Sequence, residues 1–221
     1  MADRAVLEPC RQSEERDRHV RAGTAGVRGA LRARPVGRHG TAAADQLRQS
    51  SAGSAGNLQA VLDGSLDLAL TVGGRRPPDG IVLRPLVDEP LAFLCRADHP
   101  LAGRSLITLA DLSGTPILRF PPGWGTRDTV DRVLGPVDSA TEIAGYTLMV
   151  KLIRAGFGAT LMPASAVAGA AGVCVIPLDA PELTWHLSAA VSTRRRPTAA
   201  TEALLGALIT AADDVTGPRN A

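Results

Sequence analysis

The sequence has few of the residue types on which several functions depend. Aromatic residues make up 3% of its 221 residues, which leaves few stacking surfaces for single-stranded nucleic acid. The formal net charge is only +2, so no strong field attracts nucleic acid or a membrane surface. Neither an apolar run of about 18 residues nor the apolar core of a signal peptide is present. We therefore predict no membrane span and a cytoplasmic location.

Cysteine is also scarce. The three cysteines, Cys10, Cys95 and Cys174, lie far apart and form no C-x-x-C pair, so the sequence predicts neither a zinc site nor a disulfide framework. Cys95 and Cys174 have apolar neighbours in the sequence, and we predict that both are buried thiols.

The motifs of common catalytic sites are missing as well. The sequence contains no G-x-x-x-x-G-K-[ST] loop, no H-E-x-x-H motif and no G-x-S-x-G turn. His99 lies in a predicted turn, and the positions of the histidines support no Ser–His–Asp arrangement. The sequence therefore predicts that the protein is not an enzyme and needs no metal or cofactor.

What is present changes in character near residue 45. Residues 1–45 are rich in Arg, Ala and Gly, and no apolar stripe with a helical or strand period runs through them. We predict that this segment is disordered or non-native. A basic arm that contacts DNA is the weaker alternative, because acidic residues are interleaved with the arginines.

From residue 46 onward, strands and helices alternate. A short strand at 46–50 precedes a helix that Ser51 or Ser54 caps and Gly64 ends, and an apolar strand follows at 66–72. Two further strands are predicted at 81–87 and 90–95, separated by a break at residues 88–90. Later helices are predicted from Thr126, over 146–156 and from Pro197. The pattern predicts an α/β fold with mostly parallel sheets.

Four short motifs occur in order along the chain, at residues 64–69, 99–102, 156–158 and 162–163. Their sequence and order resemble the effector-binding (substrate-binding) domain of LysR-type transcriptional regulators, and the resemblance covers roughly residues 46–210. It implies two Rossmann-like lobes joined by two crossover strands, as in type 2 periplasmic binding proteins. A small, anionic effector would bind between the lobes, and the protein would form a homodimer or homotetramer.

The resemblance also divides the chain. Lobe I would comprise residues 46–90 plus 187–212, and lobe II residues 91–186. The family begins with a winged helix-turn-helix and a long linker helix, and its effector-binding domain opens with an apolar strand. None of these is visible in residues 1–45. A frameshift or a misplaced start would explain the change in composition. DNA binding is then expected only through a helix-turn-helix domain that this sequence lacks.

Candidate effector-binding residues follow from the rule that ligands of open α/β sheets bind beyond the carboxyl ends of strands, near helix N-termini. Three such places lie at 49–54, 120–130 and 144–149, and a fourth strand ends at 70–74. Serine hydroxyls and helix N–H groups suit a carboxylate, a tryptophan offers an apolar wall, and an arginine forms forked ion pairs. The candidates are Ser51, Ser54, Thr71, Trp124, Thr126, Arg127, Tyr146 and Thr147.

Each candidate also has a purely structural interpretation. Ser54 can be a plain helix cap, Arg127 an exposed loop residue, and Tyr146 a partly buried, hydrogen-bonded tyrosine. Two other functions remain open beside that of a regulatory ligand sensor. One is a free-standing solute-binding protein of the same fold, against which the lack of a signal peptide argues. The other is a truncated, non-functional regulator.

Overall fold

The computed structural model describes residues 53–74, 76–135, 141–167 and 170–216. The predicted segment 1–45, the predicted strand at 46–50, Ser51 and Cys10 lie outside these ranges. The helices are α1 (Gly53–Asp63), α2 (Gly125–Leu134), α3 (Tyr146–Arg154) and α4 (Ala199–Thr216). The strands are β1 (Leu68–Val72), β2 (Ile81–Cys95), β3 (Ile107–Thr108), β4 (Thr160–Pro163), β5 (Cys174–Asp179) and β6 (Thr184–Ser192), with short 3₁₀ helices at Ala110–Leu112 and Ala164–Val167.

Two crossing strands, β2 and β6, join two lobes. In lobe I, β6 lies between β1 and the first part of β2. In lobe II, the last part of β2 pairs with β4 and β5, and β3 pairs with β5. The partners of β2 change between Pro90 and Leu91, because residues up to Pro90 pair with β6 and residues from Leu91 pair with β4. The exact limits of the lobes remain a prediction, and lobe I and lobe II name the two halves of the molecule.

The predicted break at residues 88–90 is wrong. β2 runs through these residues without interruption, and Asp88, Glu89 and Pro90 stand opposite residues of β6. The irregularity in this ladder lies earlier, between Pro85 and Val87, where proline has no backbone N–H to donate. Polar residues and proline are tolerated at 88–90 because Asp88 and Pro90 are exposed.

The expectation of mostly parallel sheets is also wrong for the described residues. The pairings of β6 with β1 and β2 are antiparallel, and so are those of β2 with β4 and β5. Among the strands that the structure describes, parallel pairing is limited to β3 with β5 and to two isolated bridges. The two crossing strands take part in most ladders and run in opposite directions, which makes their own ladder antiparallel.

Each lobe has its own apolar core. In lobe I, α1 covers one face of the sheet around Val61 and Ala190, and α4 covers the other around Ala189 and Leu208. Among the described residues of lobe II there are two clusters, one of which contains Phe93 together with Cys95 and Cys174, and both thiols are buried as predicted.

The end of α1 follows the predicted pattern. Gly64 has a φ of +90° and donates its N–H to the carbonyl oxygen of Ala60 at 3.2 Å, so the predicted helix stop is confirmed. The Arg195 guanidinium donates to carbonyl oxygens at this end, including that of Val61 at 3.0 Å. Such a cation complements the negative end of the helix dipole.

Candidate functional site

The two lobes touch directly where α1 begins. The Ser54 hydroxyl accepts hydrogen bonds from the N–H of Val72, at the end of β1, and from the N–H of Gly125, at the start of α2. The N–H of Ala55 donates to the carbonyl oxygen of Gly123 at 3.0 Å. We call these five residues the interlobe contact. Ser54 therefore links the lobes, which is a different role from the predicted helix cap.

Glycine makes this close approach possible. A Cβ atom on Gly125 would lie 1.8 Å from the carbonyl oxygen of Val72, and one on Gly53 would lie 2.8 Å from that of Gly123. Real Cβ atoms do not approach backbone oxygens to such distances. The helix N-terminus of lobe I and the loop of lobe II therefore meet backbone to backbone.

The few aromatic residues are concentrated beside this contact. The rings of Phe120 and Trp124 stack with centroids 5.3 Å apart and planes 11° from parallel, and the Tyr146 ring lies 4.9 Å from that of Phe120. Trp185 is linked to this group through the hydrogen bond that its indole N–H donates to Thr126. Four of the six Phe, Trp and Tyr residues of the whole sequence thus gather in one place, which gives the site a large apolar wall.

A short chain of hydrogen bonds connects these elements. The Thr126 and Tyr146 hydroxyls lie 3.1 Å apart, and the Trp185 indole N–H donates to the Thr126 hydroxyl at 3.2 Å. Burial raises the pKa of Tyr146, and its hydrogen bonds act in the opposite direction, so the phenol is held in its neutral form. The helix predicted from Thr126 begins one residue earlier, at Gly125, and its N-cap residue Trp124 makes no side-chain capping bond, so the Ser54 hydroxyl of lobe I is what accepts the Gly125 N–H.

Trp185 is a residue that the sequence reasoning missed. It lies on the crossover strand β6, opposite Glu89 of β2, and its indole reaches α2 of lobe II. A signal was available, because Trp185 is one of only two tryptophans and lies next to the predicted lobe boundary at residue 187.

Arg127 is held inside lobe II. Its guanidinium pairs with Asp131 and donates to the Phe120 carbonyl oxygen at 3.1 Å and to Glu142 at 3.0 Å. Asp131 also pairs with Arg119, whose side chain is only 2% exposed, and burial lowers the pKa of Arg119. These contacts favour a structural role for Arg127 over the predicted contact with an effector.

The remaining candidates divide by exposure. Thr71 is buried in β1, opposite Ser188 of β6, whereas Thr147 is exposed on the first turn of α3. Ser51 lies outside the described residues. The structure therefore brings Ser54, Trp124 and Thr126 to the interlobe region, with Tyr146 beside them.

Within residues 53–216, apart from the undescribed gaps, no group of three or more His, Cys, Asp or Glu side chains could hold a metal ion. None of the helices that the structure describes is long and apolar enough to cross a membrane.

Comparison with known proteins places this geometry in context. Residues 46–213 match the LysR substrate binding domain family. A probable nitrogen assimilation transcriptional activator of Synechococcus elongatus is 29% identical over 150 residues, which cover 64% of this chain and 48% of that protein. The chain spans 37% to 48% of the first curated relatives it matches, which are transcriptional regulators or activators.

Solved structures show the same fold. The effector binding domain of QuiR in complex with shikimate superposes with a TM-score of 0.61 at 19% identity, covering 72% of this chain and 77% of that one. The BenM effector binding domain with its effector benzoate has a TM-score of 0.57 at 22% identity, covering 76% and 80%.

Proposed function

Because the chain belongs to the LysR substrate binding domain family, we propose that it is the ligand-sensing domain of a LysR-type transcriptional regulator. Its effector is a small anion that binds between the lobes. The observation that carries this proposal is the interlobe contact, where the N-terminus of α1 faces the loop that precedes α2.

The contact has the chemistry that a carboxylate requires. In the structure, the Ala55 N–H is satisfied by the Gly123 carbonyl oxygen, and a carboxylate oxygen is a stronger acceptor for the same group. The α1 dipole adds roughly 0.3–1 kcal/mol for an anion at this end. The carboxylate of the effector therefore takes the place of the Gly123 carbonyl oxygen as acceptor of the Ala55 N–H. It also accepts a hydrogen bond from the Ser54 hydroxyl.

The aromatic wall determines which kind of group the effector carries beside its carboxylate. Trp124 and Tyr146 lie beside the contact and suit an unsaturated or aromatic ring. Shikimate and benzoate, the ligands of the two structural neighbours, each combine a ring with a carboxylate, which supports this choice. Arg127 is omitted from the proposed site because Asp131 and Glu142 already pair with it.

Ligand binding would act by shifting a population. An effector that binds one separation of the lobes more tightly than another favours that separation, and the change passes to the other subunits. We infer that the protein works in the cytoplasm as a homodimer or homotetramer without enzymatic activity. DNA contact is assigned to a helix-turn-helix domain outside residues 46–213, as the resemblance implies.

A thermal-shift screen of cyclic and short aliphatic carboxylates tests the proposal. A true effector should raise the melting temperature of the wild-type chain, and Ser54→Ala should weaken its binding by about tenfold, as loss of one hydrogen bond to a charged group predicts. Ser113→Ala is the matched control, because Ser113 is exposed in lobe II. If Ser54→Ala binds the effector as tightly as Ser113→Ala does, the assigned site is wrong.

A further inference from the structure

A concave surface lies on lobe I, where the first turns of α4 pass over the sheet. Farther along, α4 packs closely on Leu86 and Ala189. Near its start it leaves a groove of about 460 Å³ above Val82 and Val191, which are directly opposite each other on β2 and β6. The floor of the groove is therefore apolar and held by a regular ladder.

The rim of this groove is strongly basic. Four arginines line it, namely Arg84 on β2 and Arg194, Arg195 and Arg196 after β6, and Glu202 is the one acid among its lining residues. Arg84, Arg194 and Arg196 are exposed, and none of them takes part in the ion pairs between described side chains.

Arg195 has a different task from the other three. Its guanidinium donates to backbone carbonyl oxygens at the end of α1, and this anchors the loop that carries the triple arginine. The groove thus lies at the opposite end of α1 from Ser54, about 16 Å away along a helix of 11 residues. An anion in the groove would not touch the interlobe contact.

We propose that this groove binds a small phosphate-bearing ligand, such as a phosphate ester or a diphosphate. Several guanidinium groups around one concavity match the charge and the oxygen geometry of phosphate better than those of a single carboxylate. The positive end of the α4 dipole adds to the field, because Pro197 and Glu202 place the first turn of that helix on the rim. The concave shape and apolar floor favour a small ligand over the extended backbone of DNA.

Isothermal titration of the full chain with inorganic pyrophosphate tests this site. We expect binding that weakens as salt is added, and the variant with both Arg84→Gln and Arg196→Gln should bind about tenfold more weakly or worse. Glu202→Gln should bind more tightly, because the one opposing charge is gone. Arg76→Gln, an exposed arginine of lobe I outside the groove, should match the wild type.

Random-sequence duplex DNA is titrated against the same variants. The proposal is overturned if pyrophosphate does not bind, or if the double variant and Arg76→Gln bind it equally well. It is also overturned if the double variant loses DNA binding alone, because the arginines would then serve a nucleic acid. Circular dichroism shows that each variant is folded, and the opposite signs expected for Glu202→Gln and the double variant separate charge recognition from a general loss of structure.

Discussion

Replacing Gly125 by alanine should force the lobes apart. The added Cβ would lie 1.8 Å from the Val72 carbonyl oxygen, and ordinary contact begins at 3.4 Å, so the two backbones must separate by about 1.6 Å. Gly125 is a helical residue without a left-handed φ, and alanine therefore costs nothing in backbone strain. The substitution tests the interlobe packing alone.

The energetic effect follows from the bonds that this separation breaks. Ser54 loses the Gly125 N–H at 3.3 Å, and Ala55 loses the Gly123 carbonyl oxygen at 3.0 Å. At about 1 kcal/mol for each hydrogen bond, the closed arrangement loses about 2 kcal/mol. This corresponds to roughly a thirtyfold shift of the population toward separated lobes.

Tryptophan fluorescence measures this shift directly. The chain has only two tryptophans, Trp124 and Trp185, and both lie beside the interlobe contact. In Gly125→Ala we expect a red-shifted emission, because water reaches both indoles. The control is Gly74→Ala, where a Cβ meets nothing within 4 Å. Emission and stability of Gly125→Ala that match those of the control would refute the packing argument.

Three further predictions concern stability. Asp131→Asn should lower the free energy of unfolding in urea denaturation by about 3–5 kcal/mol, because it leaves the buried Arg119 unpaired. The control Asp128→Asn, on the exposed face of α2, should change this free energy little. Equal losses in the two variants would contradict the prediction. Burial lowers the pKa of His99 below its usual 6.5, and the charge of Asp98 partly opposes this shift. As the pH falls, the unfolded chain therefore binds a proton at His99 before the folded chain does. The stability that is present above about pH 6.5 is lost as the pH falls further. His99→Gln should flatten this acid limb of a melting-temperature profile, and an unchanged limb would exclude His99 as its cause. Arg195→Ala should cost about 1 kcal/mol through lost bonds to the end of α1, and an unaltered urea midpoint would exclude that anchoring role.

Local signals explain how much of the fold the sequence could predict. The helix stop at Gly64 and the apolar strand predicted at 66–72 are determined by neighbours in the sequence. The stop is confirmed, and the strand is confirmed for Leu68–Val72, two residues shorter at its start than predicted. Asp88 and Pro90 resemble a turn because polar residues and proline usually end a strand. They remain in a strand because the crossover lies outside both cores and is exposed there.

The site was harder to predict than the fold. Helix-start rules selected Ser54, Thr126 and Tyr146, which do lie in the interlobe region, although their contact with an effector remains a prediction. The setting of Arg127 depends on Asp131 and on Glu142, which lies 15 residues away, and no local rule anticipates such a pairing. The interlobe contact itself joins residues 71 positions apart, which a single sequence does not reveal.

The uninterrupted crossover strand also determines how the lobes can move. β2 has 15 residues and spans about 50 Å, and its ladder with β6 continues through Glu89, opposite Trp185, to Pro90. Glu89 also accepts a hydrogen bond from the Ser165 N–H at 2.9 Å, which fixes the ribbon to lobe II. Two hydrogen-bonded strands resist free rotation of one lobe against the other, so the lobes can rotate only by twisting both strands together. This twist stores elastic energy, which returns the lobes to their resting angle when the twisting force is removed.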